Sequence, residues 1–450
     1  MAGVFLSAWI RVNRPSAAPV SAAEEAMARS VYLSSGGKAL RPFADAPDLS
    51  PPGGAAARAI SDGTFPSVKA LAEDLNARSA ILVDASSGMV LFEKNADEMI
   101  PPASMTKLAA IYTAFHAAEN GEISLDDVVD LPPESWAVNI PPGSSLMFLA
   151  EGQRVTVREL LLGMAVASGN DAAIALAYHV SGSVPAFIDR MNREMARLGL
   201  EKTRFVEPSG LSELNLTTAR EFANFALVYL REYPEALTAF HSQVSIEYPL
   251  PRNLPEGSAE SPVFQQATNK LLGVLEGCDG LKTGFIRESG YNLSLTAERQ
   301  GTRFISVTMG GPGSGTYEGN LLRSRDGSAL MEWAFGNFKS VKPACPAPFA
   351  VPVFGAPVSA VQAIPAIPSD GTVPVRTEGI DCAVELPWFL DAPVYAGEEI
   401  GEVVYRSGEK ILYTVPLVAD RNAGEAGFTG RIAGKALRLA APLVSPAARR

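Results

Sequence analysis

The chain has 450 residues, 47% of them hydrophobic and 19% charged, which allows two or three domains and a sizeable core. The net charge of −11 and the lack of a basic stripe argue against a nucleic-acid partner. The three cysteines lie far apart and fit no metal-ligand spacing, and their odd number and low density exclude a disulfide-built scaffold. We therefore expect an acidic globular protein that uses no metal and no cofactor.

Residues 1–65 are predicted to form a leader and a flexible linker. The first ten residues, MAGVFLSAWI, are apolar, but Arg11 and Arg14 follow this run instead of preceding it, which makes it a poor signal peptide. Either the true start lies upstream or the segment is an atypical leader. The stretch up to about residue 65 is rich in Ala, Ser, Pro and Gly, which favours a mobile linker. No later stretch approaches the roughly 20 apolar residues of a membrane-spanning helix.

Residues 66–340 are predicted to form a domain of mixed strands and helices. The segment ARSAILVDASSGMVLFEKN predicts two strands joined by a turn at residues 86–88. Helices are predicted over residues 104–118, 157–167, 171–180, 184–198 and 218–232. Strands over 280–285, 291–298 and 303–310 then precede a last helix, which begins at about Arg323 and ends at Phe338. This order fits an α+β fold, in which helices cover both faces of an antiparallel sheet.

Residues 341–426 are predicted to form a small C-terminal all-β domain, because short runs such as GEEIGEVVYRSGEKILYTVPLVAD alternate with turn signals. The tail, residues 427–450, is basic and partly apolar. One interpretation is an amphipathic segment that contacts a membrane surface, although Gly434 and Pro442 weaken it. The alternative is a frayed terminus.

The histidines offer little catalytic chemistry. His116 and His179 lie in apolar helical runs, and His241 lies in the run LTAFHSQ. We interpret all three as structural or surface residues. A Ser-His-Asp hydrolase and a histidine-rich zinc site are therefore not expected.

The Ser-x-x-Lys pattern occurs three times, so the pattern alone is weak. The pairs are Ser35 with Lys38, Ser104 with Lys107, and Ser407 with Lys410. The first lies in the leader before two glycines and the third in a predicted hairpin turn, so we interpret both as loop residues. The second opens a long helical run, SMTKLAAIYTAFHAA.

Ser104 and Lys107 fit a nucleophile and its base. A serine in the first turn of a helix lies near the positive end of the helix dipole, and a lysine three residues later lies about one turn away on the same face. Apolar surroundings and nearby positive potential favour a neutral amine, which can accept the serine proton. The alternative is an ordinary helix N-terminus with a solvated lysine.

Two further triplets strengthen the catalytic interpretation. Ser168-Gly169-Asn170 separates two apolar helices, where polar groups are costly unless they are satisfied or used. Lys282-Thr283-Gly284 lies on a predicted strand. Alone, the first could be a plain loop and the second an edge strand with a protective lysine. Three triplets in this order, on a helix, a loop and a strand, argue against coincidence.

Ser-x-x-Lys, Ser-x-Asn and Lys-Thr-Gly together form the motif set of penicillin-binding proteins and class A β-lactamases. Flanking segments such as PPASMTKLAAIYTAF, LLLGMAVASGNDAAIALA and DGLKTGFIRESGYNLSLTA resemble low-molecular-mass penicillin-binding proteins that are D-alanyl-D-alanine carboxypeptidases. The resemblance spans residues 66–338 and, more weakly, the all-β domain through DAPVYAGEEIGEVVY. It implies a β-lactamase/transpeptidase-like catalytic domain in a protein exported to the periplasm or cell envelope.

The resemblance also implies a role for each matching residue. Ser104 would attack the carbonyl of the penultimate D-alanine of a peptidoglycan stem peptide, and Lys107 would accept its proton. Ser168 would help to relay a proton to the leaving D-alanine, while Asn170 would hydrogen-bond the substrate amide and Lys107. Water would then hydrolyse the acyl-enzyme, and β-lactam antibiotics would acylate the same serine.

Substrate binding is implied for the Lys282 strand. Lys282 and Thr283, with Gly284 completing the motif, would bind the terminal carboxylate of a peptide added as a further strand. The backbone N–H groups of Ser104 and Phe285 would form the oxyanion hole. Several relatives carry histidine where this chain has Phe285, which predicts an altered pH dependence. A second departure is a loop after Gly310 that is longer than usual.

Arg323 matches an arginine that relatives place near the substrate carboxylate. Because the predicted long loop precedes it, this match depends on the alignment of that loop.

Related and unrelated functions remain as alternatives. A class A β-lactamase would need Ser-Asp-Asn and an Asn four residues after its deacylating Glu, whereas Leu211 stands four residues after Glu207. We interpret Glu207 as structural. An endopeptidase or transpeptidase differs only in the acceptor, so the sequence leaves both open. A non-catalytic wall-binding protein would be expected to have lost Ser104, Lys107 or Lys282, and all three are present.

Overall fold

The computed structural model describes residues 8–11, 58–59, 68, 71, 74–258, 260–345, 347–366 and 369–426. These residues fall into two compact units, of which one ends at Lys339 and the other includes the remainder up to residue 426. Most of the predicted leader and linker, the Ser35/Lys38 pair and the whole predicted tail lie outside the described residues. The domain limits 66–340 and 341–426 stay predictions.

Strands and helices follow in the predicted order. The strands up to residue 311 are β1 (Ala8–Arg11), β2 (Arg58–Ala59), β3 (Ser79–Asp84), β4 (Val90–Lys94), β5 (Val128–Val129), β6 (Val155–Thr156), β7 (Ser245–Tyr248), β8 (Val263–Gln266), β9 (Cys278–Ile286), β10 (Gly290–Arg299) and β11 (Thr302–Gly311). The described helices are α1 (Thr106–Glu119), α2 (Val157–Val166), α3 (Asn170–Ser181), α4 (Val184–Arg197), α5 (Ala219–Glu232) and α6 (Thr316–Asn337). Short 3₁₀ turns occupy Ala103–Met105, Pro133–Ser135, Ala137–Asn139 and Pro251–Asn253, and a π-helical turn occupies Leu237–His241.

An antiparallel sheet organises the first unit. Its strand order is β2-β4-β3-β11-β10-β9. The pairing of β3 with β11 joins the start of the unit to its end, as the sequence predicted. Among the described strands, β9 lies at the edge of the sheet, so one side of its backbone is open to a further strand.

Successive side chains of a strand point to opposite faces of the sheet. Helices cover both of these faces. Ile305 and Val307 of β11 are fully buried in a cluster with residues of α1 to α5, among them Phe222. Phe304, the residue before Ile305, therefore points to the opposite face and packs its ring 4.9 Å from Phe335 of α6. Each such side chain contributes about 1.5–3 kcal/mol through burial. The predicted α+β class is confirmed.

The last helix of the unit differs from the prediction. Helix α6 begins at Thr316, not near Arg323, and only residues 312–315 separate it from β11. The expectation of a long loop after Gly310 was therefore wrong. The helix gains an acidic residue in its first turn, Glu318, which accepts a hydrogen bond from the backbone N–H of Ser314 at 2.7 Å.

The second unit is built of strands. They are β12 (Phe338–Val341), which begins in the first unit, β13 (Phe349–Phe354), β14 (Ala360–Pro365), β15 (Gly371–Pro374), β16 (Asp381–Leu386), β17 (Leu390–Asp391), β18 (Glu399–Ser407) and β19 (Lys410–Ala419). One sheet has the order β1-β16-β18-β19-β14-β13-β17. The predicted all-β domain is confirmed, and Ser407 and Lys410 flank the turn of the β18–β19 hairpin, as predicted.

Candidate active site

The three motifs lie together in the first unit. They are the Ser104/Lys107 pair, Ser168-Gly169-Asn170 and Lys282-Thr283-Gly284. Lys107 Nζ lies 3.1 Å from Ser104 Oγ and 2.6 Å from Asn170 Oδ1. Lys282 Nζ lies 3.0 Å from Ser168 Oγ. The structure thus brings together a hydroxyl, a buried amine, an amide and a second buried amine from three separate segments of the chain.

Ser104 lies in a constrained turn directly before α1. Its neighbour Ala103 has φ of 51°, a conformation that non-glycine residues rarely adopt, and is fully buried. Two glycines pack closely against this turn. A Cβ at Gly284 would lie 2.4 Å from the carbonyl oxygen of Pro102, and one at Gly210 would lie 1.9 Å from that of Ala103. Only glycine therefore lets β9 and the loop containing Gly210 approach Ser104 this closely.

Lys107 is fully buried and has three hydrogen-bonding neighbours. It donates to the amide oxygen of Asn170 and to the carbonyl oxygen of Ser209, each at 2.6 Å. Burial lowers its pKa from 10.5 to about 7, although the charges of Glu207 and Asp171 act in the opposite direction. A neutral amine has two hydrogens and one lone pair. Because the two oxygens take the hydrogens, the lone pair is left to face Ser104 Oγ.

Lys282 is the second buried lysine of the site. Its Nζ donates to Ser168 Oγ at 3.0 Å and to the carbonyl oxygen of Thr283 at 3.1 Å. Burial lowers its pKa well below the usual value, and the charges of Lys107 and Arg323 lower it further. A site with these groups is electrostatically prepared for an anion, because a bound carboxylate would restore the charge of Lys282.

The remaining predicted residues line the edge strand. Thr283 Oγ1 lies 2.8 Å from Thr268 Oγ1, and Arg323 of α6 donates to the carbonyl oxygen of Gly284 at 3.2 Å. Burial lowers the pKa of Arg323 to about 10. The half-exposed ring of Phe285 stacks on Tyr291 with centroids 4.3 Å apart. Hydrogen bonds and adjacency in the chain therefore link all nine residues predicted for the site.

Sequence reasoning missed two features of the site. The carbonyl oxygen of Ser209 carries no side-chain signal, because any residue could supply it. Asp171 is fully buried and accepts hydrogen bonds from the backbone N–H groups of Met147, Phe148 and Leu149 at 2.8–3.0 Å. An acidic residue in the first turn of α3 could have been noticed as a favourable partner of the helix dipole.

The histidines have partners elsewhere. His116 Nδ1 lies 3.3 Å from Glu194, and His241 Nε2 lies 2.7 Å from the hydroxyl of Tyr229. Burial lowers the pKa of His241 to about 3, so this ring is neutral. Within the described residues, no group of three His, Cys, Asp or Glu side chains is placed to hold a metal ion.

Comparison with known proteins matches both parts of the chain. Residues 66–313 match the family model described as D-alanyl-D-alanine carboxypeptidase, and residues 350–425 match that of the penicillin-binding protein 5 C-terminal domain. D-alanyl-D-alanine carboxypeptidase DacA of Haemophilus influenzae is 31% identical, over 80% of this chain and 88% of its own length. DacC of Escherichia coli is 32% identical over the same shares. Penicillin-binding protein 5 from Haemophilus influenzae has a crystal structure similar to this one, with a TM-score of 0.66 and 30% identity over 78% of this chain and 99% of that chain.

Proposed function

Because this chain belongs to the D-alanyl-D-alanine carboxypeptidase family, we propose that Ser104 is the nucleophile of that reaction and Lys107 its base. The protein is a serine-type carboxypeptidase that removes the terminal D-alanine from peptidoglycan stem pentapeptides through an acyl-enzyme. As a penicillin-binding protein it is also acylated by β-lactams.

We assign Lys107 as the base because of its position. Ser104 Oγ forms the bond to the carbonyl carbon of the penultimate D-alanine, while its proton passes to the lone pair of Lys107 Nζ, 3.1 Å away. Asn170 and the Ser209 carbonyl hold the amine in this orientation. The backbone N–H groups of Ser104 and Phe285 are proposed to stabilise the oxyanion.

Collapse of the tetrahedral intermediate breaks the peptide bond and requires a proton on the departing amine. We propose that the proton which Lys107 took from Ser104 passes to this amine through Ser168, whose hydroxyl is held 3.0 Å from Lys282 Nζ, so that Lys107 becomes neutral again. Lys282, Thr283 and the neighbouring Arg323 are proposed to bind the substrate carboxylate along the open edge of β9. Hydrolysis by water then releases the shortened peptide and regenerates Ser104.

Substitution of the nucleophile tests the assignment. We expect Ser104→Ala to lower D-alanine release from a pentapeptide ending in D-Ala-D-Ala by about 10⁴-fold or more, because no other hydroxyl can form the acyl-enzyme. Ser407→Ala is the matched control, since Ser407 also belongs to a Ser-x-x-Lys pair but lies in the β18–β19 hairpin. Wild-type rates in both variants, measured by release of free D-alanine, would contradict the assignment.

Location in the cell envelope follows from the substrate, because peptidoglycan lies outside the cytoplasmic membrane. Among the described residues, no helix is long and apolar enough to cross a membrane. The finer prediction, peripheral membrane contact through residues 427–450, is also a proposal and rests on the basic, partly apolar sequence of that tail. It predicts that the full chain sediments with anionic vesicles and that a chain ending at residue 426 does not. Equal sedimentation of both chains would contradict it.

A further inference from the structure

The loop that joins α4 to α5 contacts the catalytic groups at two points. A Cβ added to Gly210, whose φ is 89°, would lie 2.7 Å from the backbone nitrogen of Ser104. The carbonyl oxygen of the preceding residue, Ser209, accepts a hydrogen bond from Lys107 Nζ at 2.6 Å. The conformation of residues 207–215, here called the Glu207 loop, therefore fixes where the amine of Lys107 lies.

Glu207 organises this loop with both of its carboxylate oxygens. One oxygen accepts from the backbone N–H of Ser209 at 2.8 Å and from the hydroxyl of the same residue at 2.6 Å. The other accepts from the backbone N–H of Gly210 at 2.6 Å and from the side-chain amide of Asn215 at 2.8 Å. Four short bonds to one carboxylate hold the Ser209 carbonyl in a single orientation.

The network continues into the catalytic helix. Asn215 is fully buried, and its side-chain nitrogen lies 3.2 Å from Thr106 Oγ1, in the first turn of α1. The loop is thus attached to the helix that carries Lys107 through a side chain as well as through the Ser209 carbonyl. Since loop donors occupy both oxygens of Glu207, the arrangement does not suit a carboxylate that activates water in the manner of a class A β-lactamase.

We propose that Glu207 is a positioning residue for acylation, which holds the Ser209 carbonyl against Lys107 and stabilises the ammonium form of that lysine after it takes the Ser104 proton. This inference rests on the proposed roles of Ser104 and Lys107. The charged groups that act on Lys107 are Glu207 on the loop, Asp171 at the start of α3 and Lys282 on β9. Asp171 accepts from the backbone of residues 147–149, whereas Glu207 accepts from the loop whose Ser209 carbonyl contacts Lys107.

The effect of the Glu207 charge on the pKa of Lys107 can be measured separately from the effect of Glu207 on the loop conformation. Burial lowers the pKa of Lys107, and the charge of Glu207 raises it in part. Glu207→Gln removes the charge and retains the size of the side chain. The pKa of Lys107 should then fall, so that the amine is neutral at lower pH but is also a weaker base.

The test is the pH dependence of Ser104 acylation by a fluorescent penicillin, measured on the full chain. For Glu207→Gln we expect the acidic limb of the profile to move to lower pH by about 1 unit, and the rate at the plateau to fall about tenfold. Glu207→Asp retains the charge on a shorter side chain, so its acidic limb should stay at the wild-type pH while its plateau falls. Glu213→Gln, an exposed carboxylate on the same loop, should give the wild-type profile.

A lower rate at every pH with an unmoved acidic limb in Glu207→Gln would overturn the electrostatic role, and a wild-type profile would overturn both roles. If Glu207→Gln does not fold, Glu207→Asp decides, because a plateau at the wild-type level would contradict the positioning role. If the proposed roles of Ser104 and Lys107 are wrong, the experiment gives a different result. Folded wild-type protein would then release D-alanine without becoming labelled at Ser104.

Discussion

Lys107 donates to the side-chain oxygen of Asn170 and the backbone oxygen of Ser209, and its remaining position faces Ser104. This arrangement serves catalysis only while the amine is neutral. Burial supplies the neutral form by lowering the pKa to about 7, against the smaller opposing effects of Glu207 and Asp171. A second buried lysine, Lys282, lies close enough to disfavour two positive charges at once.

The pH profile of the wild-type protein should reflect this amine. We expect acylation by penicillin to increase as pH rises through about 7 and to decline below it, because protonated Lys107 cannot accept the Ser104 proton. The measurement is the second-order labelling rate across this range, with folding checked by circular dichroism at each pH. A rate that stays constant down to about pH 5 would identify a carboxylate as the proton acceptor instead.

The sequence predicts the side chains that we propose for catalysis but not all of their contacts. Ser104, Lys107 and Lys282 could be singled out because their types and spacing match a chemical task. The Ser209 oxygen could not, because a backbone acceptor leaves no trace in residue identity. The sequence led us to interpret Glu207 as structural, because its effect on Lys107 depends on a distance that only the folded chain supplies.

Among the secondary-structure elements, the start of α6 shows where sequence patterns mislead. Gly310, Gly311, Gly313, Gly315 and Gly319 lie close together in the sequence, which favours a loop. Gly319 is nevertheless helical, and a Cβ there would lie 2.0 Å from Cζ of Tyr291. The glycine is needed for close packing of the helix on an aromatic ring. A single sequence cannot distinguish this need from conformational freedom.

This packing should matter for the site, because Tyr291 is stacked on Phe285 at the end of the Lys-Thr-Gly strand. We expect Gly319→Ala to lower the free energy of unfolding by about 1–3 kcal/mol through overpacking, and to slow acylation by displacing β9. Gly336→Ala is the matched control in the same helix, since nothing lies within 4 Å of its added Cβ. It should be neutral or gain up to about 1 kcal/mol from helix propensity. Equal melting temperatures and labelling rates for the two variants would contradict this account.

For the whole molecule, the sequence predicts the fold class because the pattern of elements and the motifs agree. Residues 79–84 pair with residues 304–309, so the catalytic sheet closes only when the two ends of the first unit meet. That long-range pairing was expected from the order of strands and helices, whereas the strand registers and the tight approach of Gly210 and Gly284 to the Ser104 turn were not. Strand registers and close backbone approaches depend on side-chain packing, which cannot be derived directly from one sequence.

The central claim is that Ser104 forms the covalent intermediate with Lys107 as its base. The most direct measurement is mass spectrometry of the wild-type protein after reaction with a penicillin, followed by peptide mapping of the adduct. We predict one penicilloyl group per chain, located on the peptide that contains Ser104, and no adduct in folded Ser104→Ala or Lys107→Arg protein, since a guanidinium stays protonated. An adduct on any other residue, or an unchanged adduct in Lys107→Arg, would contradict the account.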